Sequence, residues 1–135
     1  MKPVGLTEDV GWEIGVSRTL DAPLEAVWDL LVSPAGADLW IGAGASIPLT
    51  KGERYATAAG DHGELRGRID RERIRVTQQR PDREGPTTMQ FALRANGGRT
   101  RVTFHEEHLA DADEREARRA HWKAVMDDVE AALAG

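Results

Sequence analysis

The residues able to do chemistry in this chain are few. There is no cysteine, which excludes disulfides, thiolate metal sites and cysteine nucleophiles. No Gly-x-Ser-x-Gly elbow occurs, so no signature of a serine nucleophile is present. Gly42-Ala43-Gly44 lacks the third glycine of a dinucleotide fingerprint and the Gly-Lys-Ser/Thr of a phosphate-binding loop. His105-Glu106-Glu107-His108 invites comparison with the zinc-protease helix, but that motif places its histidines four apart on a helix. Here they are three apart in a strand-like segment, on opposite faces. No metal and no cofactor is expected.

Three side chains remain. Glu106 lies two positions past Phe104, in phase with Val102. If it faces an apolar interior, desolvation raises its pKa and suits it to act as an acid, a base or a ligand anchor. If the strand has frayed, it stands in solvent or pairs with an arginine. Arg18 is in phase with apolar neighbours, so it anchors a ligand carboxylate or pairs with Glu106, or else it snorkels to water from the strand's end. His121 precedes Trp122 and either faces the interior or bonds a neighbour as a partly buried histidine. His62 sits in a glycine-flanked turn, as a surface residue does.

These candidates must be positioned by the elements around them. Trp12 to Leu20 alternates apolar and polar residues and reads as a strand. A helix is predicted from Pro23 to Val32, and Ser33-Pro34 starts a second one that runs to Trp40. Residues 42–52 read as a loop with a short strand at Ser46–Leu49. Weak alternation follows over Glu53–Ala59, then strands at Glu64–Asp70, Arg73–Gln79, Thr87–Ala95 and Thr100–His108. Asn96-Gly97-Gly98 is the strongest hairpin signal in the chain. Asp111, with Glu114 three residues on, caps a helix from Ala112 to Ala134, about 34 Å long at 1.5 Å per residue. Its stripe is Trp122, Val125, Met126, Val129, Ala132 and Leu133, and Glu114–Arg118 is set to pair on its exposed side. By phase, Tyr55, Leu65, Ile69, Ile74, Val76, Gln78, Met89, Phe91, Leu93, Val102, Phe104 and Glu106 point inward. The arginines at 66, 68, 71, 73, 75 and 80 read as an outer face balanced by Glu64, Asp70 and Glu72.

The 135 residues suit one domain at 11–135, preceded by a loose tail at 1–10. Strands segregated from helices define the α+β class. No apolar run approaches the length of a membrane span. A net charge of −5 argues against a nucleic-acid footprint. Met1–Gly5 carries no apolar stretch of a secretion signal, and a cytoplasmic location is expected.

The residues also carry a family likeness. Arg18-Thr19-Leu20-Asp21-Ala22-Pro23-Leu24-Glu25-Ala26-Val27-Trp28 resembles the strand-to-helix "AP-x-E-x-VW" segment of the START/SRPBCC superfamily. Ser33-Pro34 through Leu39-Trp40 resembles its "P-x-x-L-x-x-W" helix. Gly97-Gly98-Arg99-Thr100-Arg101-Val102-Thr103-Phe104 resembles its last strand, and His121-Trp122-Lys123 with Leu133 its C-terminal helix. The pattern is most similar to the branch named after the activator of the heat-shock protein 90 ATPase. His121 stands where that branch usually has glycine, and Glu106 and His108 stand where a "HEG" sequence is common. The resemblance implies a helix-grip fold: a curved antiparallel sheet of six to seven strands around a long C-terminal helix. It also implies a cavity between the two. The inward residues that would line it are Trp40, Tyr55, Val76, Gln78, Met89, Phe91, Phe104, Glu106, Trp122 and Met126. The function implied is binding of an apolar or amphipathic small molecule, lipid- or polyketide-like. The alternatives are a cyclase or hydratase using Glu106 or His121, and an interaction module like the chaperone-ATPase activator. No catalytic residue is assigned, a protein partner or a homodimer is admitted, and nucleic acid is not expected.

Overall fold

A computed structural model describes residues 6–7 and 11–135. The elements are β1 (Leu6–Thr7), β2 (Gly11–Leu20), α1 (Leu24–Val32), α2 (Pro34–Trp40), β3 (Arg54–Ala56), β4 (His62–Ile69), β5 (Arg73–Gln78), β6 (Thr87–Asn96), β7 (Arg99–Leu109) and α3 (Ala112–Ala134). Seven strands form one antiparallel sheet in the order β1-β2-β7-β6-β5-β4-β3. The first long strand is thus neighbour to the last, and α1 and α2 are inserted between the two arms of the sheet. This is the α+β helix-grip architecture expected of the sequence. Of the tail at 1–10, Leu6–Thr7 pairs with Gly11–Trp12 and the rest lies outside the described residues. The short strand expected at Ser46–Leu49 does not form; that segment is irregular.

Local chemistry explains the boundaries. Ser33 ends α1 and starts α2: its hydroxyl donates to Leu30 O at 2.6 Å and accepts from Gly36 N at 3.1 Å. Pro34 supplies the first residue of α2, where its missing N–H costs nothing. The helices meet so closely at Gly36 that a Cβ there would stand 1.9 Å from Leu30 O. Gly97, at φ 65°, turns β6 into β7 between the paired residues Asn96 and Arg99. At α3, Asp111 accepts from Glu114 N at 2.8 Å, and Glu114 reaches back to Ala110 N at 2.8 Å.

The core lies between the inner sheet face and the three helices. Phe91 sits at its centre, edge-on to Trp28 (5.7 Å between centroids) and Trp40 (5.0 Å). Phe104 stacks on Trp122 at 5.0 Å. Trp122, Val125, Met126 and Val129 of α3 are all buried against this layer. Fully burying each such side chain is worth about 1.5–3 kcal/mol, so this stripe holds the helix to the sheet. Two inward expectations are overturned: Ala132 of the α3 stripe is exposed, and Ile69 leaves the inner face. A bulge between Leu65 and Gly67 shifts the phase of β4, which places Arg68 opposite inward Ile74 and Ile69 opposite outward Arg73. Ile69 is consequently 41% exposed, while Arg68 lies over the Trp28 ring at 5.5 Å.

Candidate functional site

Glu106 is the pivot of the inner face. Strand β7 carries it, in phase with Val102 and Phe104, to a position with no solvent exposure. Four donors meet its two oxygens. Oε1 accepts from Arg118 Nε at 2.6 Å and Trp122 Nε1 at 2.9 Å. Oε2 accepts from Thr87 Oγ1 at 2.6 Å and Arg80 Nη1 at 3.2 Å. Burial by itself pushes the carboxyl pKa up, as the sequence led one to expect. The Arg118 charge, the Thr87 hydroxyl and the Arg80 charge together outweigh it, and the net shift is downward. Glu106 is an ionised acceptor with its lone pairs occupied, which corrects the expectation of a raised pKa.

The arginines come from unexpected places. Arg118 is on α3, one turn before Trp122, so it shares the buried stripe instead of the solvent face. The expected Glu114–Arg118 pair does not form. Glu114 is clamped by Arg83, with Nε to Oε2 at 2.8 Å and Nη2 to Oε1 at 2.7 Å, and that bond chiefly holds its pKa down to about 2. Arg80 follows β5 and turns inward instead of joining the outer face. Arg18 does not reach Glu106; it binds Asp127 and Glu130 of α3 at 2.8 and 3.0 Å, at the strand's far end.

Arg80 also leads outward. It lines an opening of about 530 Å³ together with Ala59, Asp61, Pro81, Asp82, Arg83 and Glu114. Its Nη2 is buried without a hydrogen-bond partner, 3.8 Å from Glu114 Oε2. Gln78 is buried beside this region and gives its Nε2 to Asp61 Oδ2 at 2.9 Å, leaving Oε1 unanswered. Tyr55 donates to Thr77 O at 2.6 Å, and burial chiefly pushes its phenol pKa up.

All ten residues named from the sequence as cavity-lining are buried on the inner face. The structure joins Glu106 directly to Trp122, and it joins Gln78 and Tyr55 to the rim near Asp61 and Thr77. Trp40, Val76, Met89, Phe91, Phe104 and Met126 interlock as core. His121 stays exposed, edge-on to Trp122 at 5.0 Å. It makes no bond to Glu106. Arg80, Thr87 and Arg118 were missed by the sequence reading. A signal existed only for Arg118, whose four-residue spacing from Trp122 continues the stripe. Among the described residues no three His, Asp or Glu side chains converge as metal ligands.

A seven-stranded antiparallel sheet gripping one long C-terminal helix is the architecture of the START/SRPBCC helix-grip class. Within it, residues 21–134 match the family described as activator of Hsp90 ATPase homolog 1-like protein, and the chain belongs to that family. Three solved structures illustrate the shared fold. DynU16, from the dynemicin biosynthetic locus, is 18% identical at a TM-score of 0.77, with 90% of this chain and 47% of that one covered. This chain therefore spans about half of DynU16. PFC0360w, an HSP90 activator from Plasmodium falciparum, is 13% identical at a TM-score of 0.75, with 92% and 97% covered. The Aha1 dimer from Colwellia psychrerythraea is 16% identical at 0.73, with 90% and 95% covered. No curated protein matches the sequence. No helix among the described residues is long and apolar enough to cross a membrane.

Proposed function

We propose that the protein binds a small amphipathic molecule, lipid- or polyketide-like, in the cytoplasm, at the rim where Arg80 runs from the opening to Glu106. The observation that carries this reading is the pair of unanswered polar atoms, Arg80 Nη2 and Gln78 Oε1. Leaving a buried donor or acceptor unmet costs about 1–3 kcal/mol each. A head group with hydroxyl and carbonyl oxygens answers both: one oxygen accepts from Arg80, and one O–H donates to Gln78. The apolar body lies along Ala59 and Pro81, toward the inner wall of Trp40, Tyr55, Val76, Met89, Phe91, Phe104, Trp122 and Met126. Met89 and Met126 are the wall residues able to shift for it, being unbranched. Likeness to a protein of a biosynthetic locus supports a biosynthetic product as the ligand class.

Binding is favoured over proton-transfer catalysis by the state of Glu106. With its pKa lowered and four donors in place, it has no proton to give at neutral pH and no free lone pair to take one. His121 is exposed and makes no bond to Glu106.

The test is calorimetric titration with hydroxylated polycyclic aromatics and fatty acids, beside native mass spectrometry of the purified protein. One-to-one binding is expected, weakened roughly tenfold or more by Arg80→Met. Gln78→Leu, which leaves the Glu106 bonds intact, should weaken it as well. A bare native mass together with no binding across the panel overturns the reading.

A further inference from the structure

The outer sheet face, turned away from α3, carries a second and differently built set of arginines. Cross-strand register places Ile69, Arg73, Ala92, Thr103 and Ser17 in one row across five strands. In the next row Arg94 of β6 stands directly opposite Arg101 of β7. Arg99 follows at the β6–β7 turn. Arg73, Arg94, Arg99 and Arg101 are all exposed. Among the described residues none of them enters an ion pair, whereas Arg66, Arg71 and Arg75 pair with Glu64, with Glu25 and Asp70, and with Glu107. Like charges directly opposite on adjacent strands are unfavourable. Here the pair rims a depression of about 500 Å³ lined by Glu72, Ala92, Leu93, Arg94, Arg101 and Thr103. A second hollow, of about 370 Å³, continues from it along Arg94, Ala95, Asn96 and Arg101. Ile69, turned outward by the bulge in β4, adds an exposed apolar side chain beside Arg73.

We infer that this face docks an acidic segment of a partner protein, with carboxylates on Arg94, Arg101 and Arg73 and an apolar side chain between them. Charge complementarity favours this occupant, in an otherwise acidic chain of net charge −5. Four guanidinium groups with no ion pair among the described residues concentrate on one face, around a floor of Ala92 and Thr103 bordered by Glu72, and they outnumber that one carboxylate. Guanidinium forks take carboxylates in bidentate fashion, and the opposed Arg94–Arg101 pair is relieved by an anion set between them. Nucleic acid fits less well: the sequence pI is about 5.4, and no aromatic side chain lines either hollow to stack a base. The face is independent of the ligand rim, since none of its arginines touches Arg80 or Glu106.

The test is fluorescence anisotropy with a labelled short peptide alternating glutamate and valine, against a single-stranded oligonucleotide of equal charge. The peptide should bind, and R94E/R101E should weaken it roughly tenfold or more. R66E, which removes an arginine already paired on this sheet, should leave it unchanged. Raising salt from about 50 to about 200 mM should weaken the wild-type complex and leave the double variant's residual signal flat. Both positions are exposed, so an unchanged far-UV spectrum checks the fold. Absence of peptide binding, or binding indifferent to R94E/R101E, overturns the inference. Tighter oligonucleotide than peptide binding assigns the face to nucleic acid, and self-association abolished by R94E/R101E in sedimentation assigns it to a second copy; either also overturns it.

Discussion

Two groups of arginines on opposite faces of one sheet obey different rules. On the inner face, Arg80 and Arg118 converge on a single carboxylate with no exposure, and Thr87 and Trp122 complete its shell. On the outer face, Arg73, Arg94, Arg99 and Arg101 stand exposed without counter-ions among the described residues, two of them directly opposed. Burial accounts for the difference. In low dielectric a charge must be answered within the fold, because desolvation costs several kcal/mol per ion. In water the same side chain is solvated and screened, and it is left free for something outside the fold.

The largest effect is expected at the buried cluster. Glu106→Ala leaves Arg80 and Arg118 without their shared anion and should cost about 3–5 kcal/mol of stability in urea unfolding. A loss below about 1 kcal/mol would show that the arginines escape to solvent and that the inner group is no different from the outer. Thr87→Val removes one charge-assisted bond of 2.6 Å and should cost about 1.5–3 kcal/mol by the same assay.

Acid titration sharpens the contrast next. Glu106, Glu107 and Glu114 have folded pKa values below their ordinary ones, Glu114 at about 2. Their contribution is complete above the ordinary carboxylate range and is lost as pH falls through the lowered values. Denaturation midpoints should therefore drop between about pH 4.5 and pH 2, and Glu114→Gln should flatten that slope by about 1–2 kcal/mol after allowance for solvent screening. The smallest effect has the opposite sign. Arg101→Gln relieves the pair with Arg94 and should stabilise by about 0.2–0.5 kcal/mol at low salt, fading as salt is added. Destabilisation on that change would mean that Arg101 is answered inside the fold after all.

Much of the fold was legible because hydrophobic periodicity is local. The alternation in β2, β6 and β7, the glycine turn at 97–98, the Ser33-Pro34 start and the Asp111 cap each act within a few residues. The site was legible only in part. Phase put Glu106 inside, but its pKa direction came from Arg118, Arg80 and Thr87, which lie 12, 26 and 19 residues away in the chain. The Ile69 phase failed because a bulge is a property of pairing between two strands and leaves no mark on one of them.

The order of elements, the inward phase of Phe104 and Glu106, the family likeness and the absence of cysteine chemistry are all readable from the residues in chain order. Folding settled which arginines answer Glu106, that Glu114 belongs to Arg83, and that four arginines on the outer face make no ion pair among the described residues. The physical reason is range. Periodicity and capping are set by near neighbours in the chain, whereas the protonation state of a buried group is set by every charge that folding brings within a few ångströms.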